Sequence, residues 1–236
     1  MIGAMKFDLA QSAPVKDRRV RRSRAALTRA AVALVTERGT AAVPLSDIAA
    51  AADVSRQIVY QHFGDRDTLL LEAALDLIRT ELMPWLAEGD PGTDAESGAE
   101  SDPETGPSTA PPTTPADARE QVLLLTRHFA RHRVFYRAMF NSSSASALNE
   151  ALGGLFGAVN RRAFKERFAG TFGPQQIEDL TVFVTGGSAS IVNAWVTGDD
   201  EPLDPEDLAD RMVGLAGIFA AAMGQITATD TKESGR

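Results

Sequence analysis

The chain has 236 residues, 44% of them hydrophobic, so it can bury a proper core in one large or two small domains. It contains no cysteine, which excludes disulfides, thiolate metal sites and cysteine nucleophiles. The net charge of −8 is unevenly divided: residues 1–66 hold 11 Lys and Arg against 6 Asp and Glu, and the rest hold 13 against 26.

A head of net +5 on a body of net −13 is the asymmetry expected when one end of a molecule meets phosphate and the other does not. The N-terminus has no signal-peptide pattern and no stretch reads as a membrane span. The expected compartment is the cytoplasm, with no membrane partner.

In chain order, Lys16-Asp-Arg-Arg-Val-Arg-Arg-Ser-Arg24 reads as a basic N-terminal arm, residues 1–20, running into a helix capped by Ser23. The arm suits phosphate or minor-groove contact, or is a solvated tail. The helix, about residues 24–38, lines up Leu27, Ala30, Ala31, Leu34 and Val35, and Gly39 ends it in the C′ position.

Two short helical patterns follow with almost nothing between them. The first, about residues 45–52, places Leu45, Ile48, Ala49 and Ala52 on one face. Asp53 breaks the run at a tight turn, where Asp tolerates left-handed dihedrals. Ser55 suits the N-cap of the second helix, which turns Ile58, Val59 and Phe63 inward and Arg56, Gln57, Tyr60 and Gln61 outward. Arg can pair with guanine and Gln with adenine, and a helix N-terminus favours phosphate. The pair reads as a helix-turn-helix, against the blander option of a helical hairpin with a polar face. Asp65 then caps a longer helix to about residue 85. Arg66, in its first turn, opposes the helix dipole, which makes better sense beside a phosphate than as an ordinary surface arginine.

Ser23-Arg24, Glu37-Arg-Gly39, Ile48-Ala49, Val54-Ser55, Tyr60-x-His62-Phe63 and Arg66-Asp67-x-Leu69-Leu70, in this order, resemble the tetracycline-repressor (TetR) family of bacterial transcription regulators. The match covers about residues 21–70. The resemblance implies an all-α fold: an N-terminal three-helix helix-turn-helix DNA-binding domain, residues 21–67, followed by an α-helical ligand-binding and dimerisation domain, residues 68–236. It places base contacts on Arg56, Gln57 and Tyr60 and phosphate contacts on His62 and Arg66. Arg24, Ser46 and Ser55 complete the DNA-binding set. Two positions depart from the family pattern: Asp53 replaces the usual turn Gly, and Pro44 replaces a capping Thr, which removes one phosphate contact.

Residues 88–116 are rich in Pro, Gly, Ser, Thr, Asp and Glu and contain no Lys, Arg, aromatic or large aliphatic residue. Such a stretch cannot bury enough apolar surface to offset its ordering entropy, so a disordered insertion is expected. Helical order returns at Asp117, an N-cap with Glu120 at N3, and continues to about residue 140. Here His132 and Tyr136 are i, i+4 neighbours in an apolar stripe. They read as a core histidine bonded to Tyr136 or to a carbonyl; alternatively they are polar handles of a small-molecule pocket with Phe129, Met139 and Trp195. His128 and His132 have a metal-compatible spacing, but no neighbour in sequence completes the set, so no metal and no cofactor is expected. A further helix spans about residues 145–168, its terminal cations suiting a helix C-terminus.

The last two helices, opened by Gly173-Pro174 and Asp204-Pro205, are apolar most of the way round and so need cover on two sides. A two-fold dimer supplies it, with Val182, Ala189, Val192 and Val196 on one helix and Val213, Ala216, Ala220 and Met223 on the other. The expected protein is a homodimeric repressor that a small, largely apolar molecule releases from a palindromic operator on double-stranded DNA. The alternatives are an activator, or a sequence-neutral architectural DNA-binding protein, against which the acidic body argues. No catalytic constellation appears, so an enzyme is not expected.

Overall fold

The computed structural model describes residues 12–82 and 115–233, with side chains described over 18–82 and 116–221. Among the described residues are nine helices and no strand. Four make the head: α1 (Ser12–Arg38), α2 (Leu45–Ala51), α3 (Arg56–Phe63) and α4 (Arg66–Glu81). Five make the body: α5 (Pro115–Arg131), α6 (Arg133–Phe140), α7 (Ala145–Arg167), α8 (Pro174–Thr197) and α9 (Pro205–Glu233). The insertion expected at 88–116 lies outside the described residues except for its last two, which open α5.

The head assembles as its apolar stripes dictate. Leu27, Ala31 and Val35 of α1 are fully buried against Ile48 and Ala49 of α2, Val59 and Phe63 of α3, and Leu69, Leu70 and Ala73 of α4. Asp53 takes a left-handed φ of +53° between α2 and α3, as the tight turn requires. One expectation fails here. Helix α1 starts at Ser12, so Ser23 lies inside the helix rather than capping it, and part of the basic arm is helical. Nothing between Val15 and Arg22 breaks a helix, and Lys and Arg propagate one well.

Helix α4 passes from head to body and packs on both α1 and α7. In the body, α5 lies along α9 and α7 along α8, with α6 between them touching α1, α5, α7 and α8. The single helix expected to residue 140 breaks at His132 (φ −104°, ψ 23°), which separates α5 from α6.

Helix α8 corrects two expectations. An 18-residue stretch within its 24 residues has a mean hydropathy of 1.3, so by length and composition alone it could cross a membrane. Its buried stripe is Ile177, Thr181, Thr185, Val192 and Val196, so Val192 and Val196 face the chain's own core and are not free for a partner. The two threonines disguise this stripe in the sequence. Each hydroxyl is satisfied: Thr181 donates to the Ile177 carbonyl of its own helix at 2.7 Å, and Thr185 accepts from Asn160 of α7 at 2.9 Å.

Candidate nucleic-acid interface

Helix α3 is set up by its N-cap. The Ser55 hydroxyl accepts from the Ile58 amide at 3.4 Å, in extended backbone that stops the helix from starting earlier. Val59 and Phe63 anchor the inner face. Arg56, Gln57 and Gln61 are exposed, and Tyr60 is 58% exposed, an aromatic held outward on a short helix. The four therefore share one outward face.

The residues around α3 divide into those left free to reach out and those tied within the head. Arg24, expected at the DNA, is tied. Its guanidinium lies 4.5 Å over the Phe63 ring, donates to the His62 carbonyl at 2.9 Å and pairs with Glu72 at 3.6 Å. It fastens α1 to the end of α3, so its direct effect is on the angle of the recognition helix. His62 is half-buried, and burial, then the charge of Arg24, lowers its pKa. The shift favours the neutral imidazole, which can hydrogen-bond a phosphate. Ser46 donates to Asp47 at 3.2 Å, and Asp47 is in turn paired with Arg38 at 2.7 Å. Arg66 turns to Asp67, with Nε and Nη2 each 3.1 Å from the same carboxylate oxygen.

Arg66 also lines a cleft of about 500 Å³ at the seam between head and body, with Gly39, Thr40, Arg133, Arg137 and Glu201 among its walls. Arg133, buried in the body, closes the end of α8: it donates to the carbonyls of Val196 (3.2 Å) and Gly198 (2.6 Å) and to Glu201 (3.0 Å). Sequence reasoning passed over this residue, since a helix-capping arginine 63 positions away leaves no local signal.

Of the pocket expected around Phe129, His132, Tyr136, Met139 and Trp195, His132 and Trp195 are half-buried. Phe129, Tyr136 and Met139 are core residues, and the Phe129 and Tyr136 rings stand 4.6 Å apart. Neither this cleft nor a second one at Ala130, Arg133, Glu201, Pro202 and Leu203 touches any of the five. The expected pairing of His132 with Tyr136 is also replaced. The Tyr136 hydroxyl meets His128 Nε2 at 2.8 Å, and His132 Nε2 meets Glu81 at 2.8 Å. His128 Nδ1 meets the other oxygen of Glu81 at 2.9 Å. Helix α4 thus supplies the third group that the sequence left missing beside the two histidines. Burial, opposed by the Glu81 bond, pushes His128 down to about 4, so its ring is neutral. Burial works to raise the Glu81 carboxyl, but its bonds to His128 and His132 together hold it below the usual range.

On the body's outer side, Val182 (70% exposed) and Phe183 (60%) of α8 adjoin Leu215, Ile218 (67%) and Phe219 of α9. The Phe183 and Phe219 rings meet edge to face at 5.5 Å. Of the expected interface, Val182, Ala216 and Ala220 lie on this exposed side, Ala189 and Val213 are half-buried, and the Met223 side chain is outside the described residues.

A Ser-capped outward helix, a left-handed turn before it and a scaffold helix beneath define a helix-turn-helix domain on an all-α body. Residues 27–73 match the family described as bacterial regulatory proteins, tetR family. Over 58 residues, 25% of this chain and 30% of each relative, the chain is 45% identical to the HTH-type transcriptional repressor Rv3405c of Mycobacterium tuberculosis (strain ATCC 25618 / H37Rv). It has the same identity over the same share to the HTH-type transcriptional regulator Mb3439c of Mycobacterium bovis. The match thus spans under a third of these relatives' length. A crystal structure of a Rhodococcus sp. protein assigned to the TetR family shares the fold, with a TM-score of 0.52 and 16% identity over 84% of this chain and 97% of that one. The head of the chain is thus similar to the DNA-binding domain of the bacterial tetR family of regulatory proteins.

Proposed function

We propose that the protein is a cytoplasmic, homodimeric, sequence-specific DNA-binding repressor. The observation that carries this is the outward face of α3, where Arg56, Gln57 and Tyr60 stand free on a helix whose other face is locked into the head. Arg56 and Gln57 are the side chains suited to guanine and adenine edges, and Tyr60 adds contact to sugar or base. Ser46, Ser55, His62 and Arg66 take phosphate roles, with Arg66 leaving Asp67 to do so. One short helix reads few bases, so specificity asks for two placed about one DNA turn apart.

The apolar strip of Val182, Phe183, Leu215, Ile218 and Phe219, with Ala216 and Ala220 between, is the surface on which a second copy would pack. A small molecule that favours the wrong spacing of the two heads would release the operator, by its difference in affinity for the two states. Footprinting on the DNA upstream of the host gene tests the proposal. A protected two-fold symmetric site supports a sequence-specific regulator; even coverage of any duplex would sink it in favour of an architectural role.

A further inference from the structure

Glu81 ends α4, His128 lies in the last turn of α5, and His132 is the break between α5 and α6. Their ligand atoms all lie within 4.8 Å of one another. Two imidazoles and one carboxylate are the donors that suit zinc, cobalt, nickel or iron(II), whereas magnesium and calcium prefer all-oxygen sets. Both rings already point the needed atom at Glu81, His128 through Nδ1 and His132 through Nε2. The second nitrogen of His128 meets the Tyr136 hydroxyl, the kind of outer partner that orients metal-bound imidazoles.

A tetrahedral ion with bonds of about 2.1 Å wants its ligand atoms about 3.4 Å apart, so Glu81 must draw back slightly and the rings close in. Glu81 has room, since it ends its helix and is 27% exposed. His132, 18% exposed, shares that open edge, while His128 at 1% seals the other side. Water can therefore enter and fill the remaining coordination positions. The Arg131 guanidinium, 3.6 Å from Glu81, is 70% exposed and can swing into solvent when a cation arrives.

We propose that Glu81, His128 and His132 bind one divalent transition-metal ion, zinc or one of similar chemistry, which ties the outgoing end of α4 to the α5–α6 break. Each ring binds the ion through one nitrogen and keeps its proton on the other, and binding weakens on acidification because a protonated imidazole cannot ligate. Its position spans the helix that carries the head and the body that holds it, so occupancy fixes the angle between the two. The proposal does not depend on the DNA-binding role, and its test does not use DNA.

The full chain, stripped by a chelator, is titrated with Co²⁺ and then with Zn²⁺. The expected result is one Co²⁺ per chain, with visible absorption of a nitrogen- and oxygen-bound ion that Zn²⁺ abolishes by displacement. His132→Ala and Glu81→Gln should each lower the affinity at least about 10-fold, and Tyr136→Phe about 10-fold through the orientation of His128. Arg131→Ala should tighten binding, because a competing cation is gone. His132→Ala is the decisive variant, since its partly exposed ring can be removed without opening the core; circular dichroism checks that it folds. Two results overturn the proposal: no Co²⁺ absorption at millimolar ion, or stoichiometry and affinity unchanged in folded His132→Ala, which would place the ion elsewhere.

Discussion

Head and body are built on different terms. Among the described residues, the head buries one polar side chain, Thr28, which donates to Asp76 at 2.9 Å, whereas the body buries Thr126, His128, Arg133, Ser144, Thr181 and Thr185. The large hydrophobic side chains left exposed show the reverse imbalance. Among the described residues, the head exposes only Tyr60, on its outward helix, while the body exposes Val182, Phe183, Leu215, Ile218 and Phe219 as one strip and Val134 apart from it. The head is a closed apolar unit with a polar working face. The body is held by long-range polar contacts and leaves apolar surface uncovered. A unit of the first kind can act as a rigid reader, and one of the second kind is suited to meeting a partner and to changing shape.

The largest effect should come from the uncovered strip. Phe183→Asp with Ile218→Asp places four charges in the proposed two-fold interface. Sedimentation should then report a single subunit, and operator affinity should fall by more than about a hundredfold as two-headed binding is lost, while the head stays folded. A variant that still sediments as a dimer would move the interface elsewhere.

The contrast between cores can be measured directly. Leu70→Ala, in the head, should cost about 2–5 kcal/mol in urea unfolding because a fully buried side chain leaves a cavity. Thr181→Val, in the body, should change stability by less than about 1 kcal/mol, since the hydroxyl bonds only its own helix turn and needs no new partner when removed. Equal losses at the two sites would erase the distinction.

Arg56→Ala tests the head's working face. Operator affinity should drop by about 1–3 kcal/mol, with relaxed preference at one base pair and no change in unfolding midpoint. Gel shifts against single-base operator variants check both parts.

The smallest effect concerns the joint where α3 gives way to α4. Asp65 accepts from the Thr68 amide at 2.7 Å, and Asp65→Ala should cost about 1 kcal/mol, Asp65→Asn less. Bonds to Thr68 hold the carboxyl below its ordinary value of 3.8. A lowered folded pKa means that the contribution is complete above the unfolded value and disappears as pH falls through the folded one. Acid unfolding of the wild type should show this loss below about pH 4, and Asp65→Asn should lack it.

The sequence by itself determined the head. Its stripe of Leu27, Ala31 and Val35, the Ser55 and Asp65 caps, the left-handed Asp53 and the outward Arg56, Gln57 and Tyr60 are all local signals, set by spacing within about one or two helical turns. The start of α1 was the exception there, because basic residues that suit a tail propagate a helix equally well. Only the tertiary structure decided the body. Thr181 and Thr185 stand on the buried side because their hydroxyls find carbonyl and amide partners, which turned Val192 and Val196 inward and left Phe183 and Ile218 outside. Glu81 reaches His128 across 47 residues, and Arg133 reaches the end of α8 across 63. Hydrophobic periodicity reports which face of a helix is apolar; it carries no information about which distant polar group will make burial of a histidine, an arginine or a threonine affordable.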